Sequence, residues 1–171
     1  MLFRSDARYV SGRTGATYYY PVFDKVVLSA LGETGVIQGV GKDVQINERF
    51  FLGGNTLRGF DEAGVGPRDT ATDDALGGEI FYRSSLEASF PLGLPEELGI
   101  QGHTFVDAGS LFELDDTGPT VADESSIRVG AGFGVSWKSP FGPIRADFAL
   151  PVVDEDFDED ENFRFNFGTR F

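Results

Sequence analysis

The sequence predicts an all-β protein, and more specifically an antiparallel transmembrane β-barrel, on three observations. The first is a period of two between apolar and polar residues in about seven segments. Each segment is roughly 9–14 residues long, whereas strands of globular proteins average about 5–6. The second is that the connections between segments alternate between short and long. The third is that the polar faces carry Gly, Ser, Asn, Arg and isolated acids, as a water-filled or plugged barrel interior requires.

The clearest strand is the last one, predicted over residues 162–171. Its apolar face consists of Phe163, Phe165, Phe167 and Phe171, and its polar face of Arg164, Asn166 and Arg170. The same alternation predicts strands at 80–90, 127–137 and 144–150, and weaker ones near 8–22, 26–40 and 98–110.

The connections indicate which kind of barrel this is. Those at 23–25, 93–97 and 138–141 are short, and those at 41–78, 111–126 and 152–162 are long. Outer-membrane barrels have short periplasmic turns and long external loops. We therefore expect the acidic run at 154–161 to be a solvated external loop.

Composition excludes several other classes of protein. The chain has 171 residues with 28 acids against 14 bases, a net charge of −14, which argues against a nucleic-acid partner. It has no cysteine and one histidine, His103, so thiol chemistry, disulfides and multi-histidine metal sites are excluded. No Ser-His-acid or Asp-His set is evident around His103, which we interpret as an interior or turn side chain. We expect no metal, no cofactor and no enzymatic activity.

The connection at 41–78 is too long for an ordinary loop, and its apolar residues predict that it is ordered. It contains Leu57-Arg58-Gly59-Phe60, preceded by Gly53-Gly54 and followed by Gly66-Pro67-Arg68. This segment resembles the sixth extracellular loop of the BamA family of outer-membrane assembly factors. Segments 85–92, 105–110 and 141–147 resemble later barrel strands of that family, and the aromatic last residue resembles an outer-membrane sorting signal.

The resemblance extends over residues 1–171 and implies the C-terminal part of a sixteen-stranded barrel. The N-terminal strands and the periplasmic POTRA domains would then be absent from this sequence. In the family the long loop folds into the barrel, where its arginine pairs with acids of the wall. The residues implied for this role are Arg58 with its neighbours Leu57, Gly59 and Phe60, the turn glycines Gly53 and Gly54, and the wall acids Glu87 and Asp107. The row of Gly130, Gly132 and Gly134 is expected to leave space for the loop.

The function implied by the resemblance is the assembly and insertion of β-barrel proteins into the bacterial outer membrane. Residues 162–171 would form one side of the barrel seam, with Phe163, Phe165, Phe167, Gly168 and Phe171 in the terminal strand. Glycine at position 168 is expected to weaken or kink that strand. The implied partners are outer-membrane lipid and lipopolysaccharide, unfolded client proteins, and assembly-complex lipoproteins bound through the upstream domains.

Three alternatives remain open from the sequence. A TamA-type factor or a two-partner secretion transporter has the same kind of barrel, and the upstream domains would distinguish them. An outer-membrane lipase or protease is disfavoured by the lack of a nucleophile–histidine pair. A soluble β-sandwich binding module would not need detergent for extraction.

Overall fold

The computed structural model describes residues 8–114 and 118–168, which form one large antiparallel sheet. Its seven strands follow each other in chain order. They are β1 (Tyr9–Phe23), β2 (Val26–Gly39), β3 (Ile80–Pro91), β4 (Ile100–Phe112), β5 (Arg128–Ser139), β6 (Gly142–Val153) and β7 (Phe163–Phe167). The predicted all-β antiparallel fold class and all seven strands are confirmed. The predicted end of the terminal strand, including Phe171, lies outside the described residues.

The connections contain only short elements. These are the 3-10 turns Ile46–Glu48 and Glu96–Leu98 and the two-residue strands Gly59–Phe60, Arg68–Asp69, Asp74–Ala75, Val121–Ala122 and Asp160–Glu161. Within the described ranges, no helix is long and apolar enough to cross a membrane.

The two faces of the sheet differ as the period of two predicts. Phe163, Phe165 and Phe167 are each at least 60% exposed on the outer face, as are Leu86 and Phe133. An exposed apolar surface of this kind is what contact with lipid requires. The inner face carries the charged and small residues, and it is covered by residues 40–79, which we call the inward loop.

The hydrophobic core lies between the inward loop and the sheet. The loop contributes most of its residues and the sheet only two, the full set being Leu52, Leu57, Phe60, Val65, Phe81 and Leu111. The ring of Phe50 packs edge-on against Phe81 with 4.8 Å between centroids. Burial of these side chains stabilises the loop in place, at roughly 1.5–3 kcal/mol for each large one. The long loop is therefore an ordered part of the fold, as its apolar content predicts.

Three glycines of β5, which we call the glycine row, form a depression in the inner face of the sheet. A Cβ atom at Gly130 would lie 1.8 Å from the carbonyl oxygen of Arg58, so the loop backbone occupies the space that a side chain would need. A Cβ at Gly132 would lie 2.8 Å from the ring of Phe105, and one at Gly134 would lie 2.4 Å from the side chain of His103. The glycine row therefore admits both the loop and large neighbouring side chains.

The sheet has two open edges within the described residues, since no strand pairs with the outer side of β1 or of β7. Unpaired backbone groups at a strand edge promote association with other chains. A closed barrel needs strand number, tilt and stagger to match, and this sheet alone does not close.

We therefore predict that the isolated 171-residue chain, refolded in detergent, does not form a compact monomer. On an unheated gel it should run as aggregates or as an extended species, because both edges remain unpaired. A compact monomer whose mobility changes on heating would contradict this prediction.

Candidate functional site

Arg58 lies at the tip of the inward loop, is only 9% exposed, and donates hydrogen bonds from all three guanidinium nitrogens. Its Nε and Nη2 atoms donate to the two carboxylate oxygens of Asp107, at 2.6 and 2.7 Å. Its Nη1 atom donates to Oε2 of Glu87 at 2.7 Å, and Nη2 also donates to the hydroxyl of Ser85 at 3.1 Å. The planar guanidinium group of Arg58 thus links the loop to β3 and β4, and the ammonium group of a lysine could not reproduce this geometry.

Two further contacts fix the same arginine. Its guanidinium carbon lies 3.4 Å from the ring centroid of Phe105, close enough for a cation–π interaction. Its backbone N–H donates to Oδ2 of Asp107 at 3.1 Å. Burial opposes the charged form of Arg58, but hydrogen bonds and charge from Asp107 and then Glu87 outweigh it and hold the pKa above its usual value. Arg58, Ser85, Glu87, Phe105 and Asp107 are called the Arg58 cluster below.

Glycines bring the loop tip close enough to the wall for these contacts. Gly53 has φ +133°, and a Cβ there would lie 2.0 Å from the carbonyl oxygen of Asp61. Gly59 has φ +103° and lies against the backbone of Leu150 in β6. Both φ values are positive, a backbone conformation that residues other than glycine rarely adopt. The structure thus places the predicted turn and tip glycines where the loop reverses and meets the wall.

A chain of charges continues from the Arg58 cluster across β6. Arg145 donates from Nη2 to Oε2 of Glu87 at 2.7 Å and from Nε to Oδ2 of Asp147 at 2.8 Å. The other oxygen of Asp147 contacts Nε2 of His103, and both residues are buried. The absence of an acid beside His103, inferred from the sequence, is therefore wrong. The two side chains are registered opposite Gly134 from neighbouring strands, and the missing side chain there lets them meet.

The sequence reasoning missed Arg145 and Asp147 as members of this network. Their signal was present, because they are two residues apart in an alternating segment and so share the inner face. What the sequence does not display is that this face of β6 lies beside Glu87.

A second arginine holds the inward loop from β3. Arg83 donates from Nη1 to the carbonyl oxygen of Thr56 at 3.1 Å and from Nε to Oε2 of Glu33 at 2.7 Å. Glu33 is also paired with Arg13 of β1. The loop is thus anchored through a side chain at Arg58 and through a backbone carbonyl at Thr56.

The acidic run at 154–161 is only partly the solvated loop that its composition predicts, because Asp154, Asp156 and Asp160 are exposed whereas Asp158 and Glu159 pair with arginines. The side chain of Asp158 is fully buried in an ion pair with Arg128, with 2.9 Å between Oδ2 and Nε. The side chain of Glu159 lies 3.0 Å from that of Arg68, and strand Asp160–Glu161 pairs with strand Gly59–Phe60 of the inward loop. The run fastens the segment that follows the loop tip, because two buried arginines neutralise part of its charge.

One acid in this run keeps an unfavourable charge. Burial and the neighbouring charges of Asp154 and Asp158 raise the pKa of Asp160 above its usual value. Among the described residues, no group of three or more His, Asp or Glu side chains is arranged to hold a metal ion.

The predicted seam residues are separate from the Arg58 cluster. Phe163, Phe165 and Phe167 point outward from β7, away from the inward loop. Gly168 has φ +110°, which ends the extended strand, and its N–H donates to the carbonyl oxygen of Pro143 at 3.0 Å.

A cavity of about 450 Å³ lies between the inward loop and the sheet. It is lined mainly by polar and charged side chains, including Arg58, Arg83, Glu87, Arg145 and Asn166. The arrangement can hold a loop inside a barrel by charge pairing.

Comparison with known proteins identifies the family. The sequence model of the Omp85 superfamily domain matches residues 1–171. The outer membrane protein assembly factor BamA of Neorickettsia risticii is 38% identical over 168 residues, which are 97% of this chain and 22% of that protein. A SAM50-like protein of Schizosaccharomyces pombe is 31% identical over 134 residues, 75% of this chain and 28% of that protein.

A solved structure shows the same fold. The crystal structure of BamA from Haemophilus ducreyi lacking POTRA domains 1–3 superposes with a TM-score of 0.82 at 26% identity, over 96% of this chain and 35% of that one. This chain thus spans 22% and 28% of the two relatives' lengths. The chain belongs to the Omp85 superfamily, and its sheet with the inward loop is a portion of a BamA-type outer-membrane β-barrel.

Proposed function

We propose that this chain is the C-terminal barrel portion of an assembly factor that folds and inserts β-barrel proteins into the bacterial outer membrane. In this proposal the first barrel strands and the POTRA domains belong to the full-length protein, upstream of residue 1. The barrel acts without a cofactor or a catalytic residue. Its partners are outer-membrane lipid and lipopolysaccharide, unfolded client proteins, and lipoproteins of the complex that bind the upstream domains.

The observation that carries the proposal is the Arg58 cluster. A cation on a long loop is buried against two acids from two different strands, with charge-assisted hydrogen bonds of 2.6 to 2.7 Å. A buried charge of this kind is retained only when its partners are in place, so the loop has one preferred position. The names of the relatives, outer membrane protein assembly factor BamA and SAM50-like protein, support the same class of function.

The charge pairing of the inward loop would favour the assembly of client proteins by making the sheet beside β7 rigid. The inward loop occupies the interior and contacts β3, β4 and β6, while the outer edge of β7 would face the first barrel strand of the full-length protein. Where that seam opens, the N–H and C=O groups on the edge can bind an incoming extended strand by β-augmentation. A rigid wall beside a free edge is a suitable template for client strands.

A TamA-type factor or a two-partner secretion transporter is the second candidate. The inward loop and its charge pairs would suit either barrel equally well. The names of the relatives favour an assembly factor, and the number of POTRA domains in the full-length protein distinguishes the three.

The proposed function predicts the effect of Arg58→Ala in the full-length protein. Removing one partner of a buried charge cluster typically costs about 3–5 kcal/mol, here because Asp107 stays buried without the cation that it binds. We expect the inward loop to become protease-sensitive at the cell surface and the levels of folded porins to fall. Arg58→Lys should restore function only in part, since an ammonium group cannot grip Asp107 through two parallel hydrogen bonds.

Lys25→Ala is the charge-removing control for Arg58. The side chains of Lys25 and its partner Glu96 are 50% and 76% exposed, and their ion pair joins the β1–β2 turn to the 3-10 turn Glu96–Leu98. Exposed pairs contribute little to stability, so loop protection and porin levels should stay near wild type. Wild-type protease resistance of the loop together with wild-type porin levels in Arg58→Ala would contradict the proposal.

A further prediction concerns Gly130→Ala, which tests the glycine row without changing any charge. The added methyl group would occupy the position of the Arg58 carbonyl oxygen, and overpacking of this kind costs about 1–3 kcal/mol. We expect a protease-sensitive loop, as for Arg58→Ala. Gly12→Ala is the control, because a Cβ there meets nothing within 4 Å. Equal protection of the loop in both variants would argue against close docking at Gly130.

A further inference from the structure

The inward loop also contacts the inner face of the terminal strand β7. The amide group of Asn55 in the loop and that of Asn166 in β7 form two reciprocal hydrogen bonds, at 3.1 and 2.9 Å. The bonds join residues 111 positions apart in the chain. Reciprocal pairing satisfies one donor and one acceptor on each amide and fixes the relative orientation of the two groups.

A second contact lies beside the first, one residue away in the loop and two residues away in β7. The guanidinium of Arg164 faces Gly54, whose ideal Cβ position is 3.1 Å from Cζ, Nη1 and Nη2 alike. Equal distances to three atoms of a planar group mean that the group lies flat over this position. Arg164 forms an ion pair with Glu161 and also lies 3.7 Å from Asp61 of the loop. Both inward-facing side chains of β7 are therefore directed at the inward loop.

The terminal strand needs such support more than the others do. The described part of β7 has 5 residues, whereas β1 to β6 have 12 to 15. It pairs on one side only, with β6 from Ile144 to Phe148. Fewer ladder hydrogen bonds make a strand easier to detach, so side-chain contacts form a larger share of what holds β7.

We propose that Asn55, Asn166 and Arg164 are positioning residues through which the inward loop holds the terminal strand against the sheet. The inference rests on the proposed function, because positioning of β7 matters most where its free edge receives client strands. It differs from the Arg58 cluster, which fixes the loop to β3 and β4 and does not contact β7. The inward loop is then attached to the terminal strand as well as to the interior strands.

The test measures the position of β7 directly by pulsed electron paramagnetic resonance of the full-length protein in membranes. Spin labels at Tyr18→Cys and Phe165→Cys lie on the outer face, where the native side chains are 67% and 60% exposed. A second pair, Tyr18→Cys with Phe133→Cys, reports on the interior strand β5. The chain has no cysteine of its own, so labelling within it is specific to the introduced sites.

We expect Asn55→Ala and Asn166→Ala each to broaden the distances between labels 18 and 165 and to raise the detached population of β7 roughly fivefold, as loss of hydrogen bonds should. Distances between labels 18 and 133 should not change. The double variant Asn55→Asp with Asn166→Lys should restore the narrow distribution by pairing opposite charges, whereas Asn55→Asp with Asn166→Asp should not.

Thr104→Ala is the control, because it removes a hydrogen bond of similar length, 3.0 Å to the carbonyl oxygen of Gly132, between two interior strands. Broadening by this variant, or unchanged distances in both asparagine variants, would overturn the proposal. Levels of folded porins, measured in the same strains, should fall with the detached population. Normal porin levels despite a displaced β7 would overturn the link between the position of β7 and assembly and leave the proposal for Arg58 standing, since the distance measurement does not depend on assembly.

Discussion

One buried cation determines how the rest of this structure is arranged. Arg58 is brought into the interior by a loop, and its charge is tolerated there because Asp107 and Glu87 approach it from two strands. Those acids in turn need Arg58, since two carboxylates close together in a poorly solvated interior would repel each other. Arg145 of β6 pairs with Glu87 and so adds a further positive charge next to the two acids. Loop, wall and edge are therefore mutually dependent, and none of the three is a separate module.

The wall accommodates the loop by lacking side chains at chosen positions. Gly130 leaves room for the backbone of Arg58, Gly132 for the ring of Phe105, and Gly134 for the contact of His103 with Asp147. Phe105 links two of these positions, because it covers Gly132 and also lies under the Arg58 guanidinium. Glycine usually weakens a strand interior. Here that loss is offset by the packing and charge pairing that the open positions permit.

The strands of this protein could be predicted from the sequence because a period of two is a local property. The partners of Arg58 could be named only through resemblance to a family, since they lie 49 and 29 positions away. The contact between His103 and Asp147 depends on a missing side chain in a third strand, which no local pattern reveals. Composition alone predicts a solvated acidic run, because it does not show that Arg128 is buried opposite Asp158. The alternation of apolar and polar residues predicts the strands, whereas the ion pairs depend on how those strands are placed in the sheet.

The short ladder between Gly59–Phe60 and Asp160–Glu161 has a consequence for the order of folding. Its two halves lie about one hundred positions apart, so the segment that follows the loop tip cannot pair until nearly all of the chain is available. Contacts of such large sequence separation form late, because the chain must close a long loop before it gains them. The ion pairs of Arg58 span only 49 and 29 positions, so we expect the tip to be held by the wall before the acidic run pairs beside it.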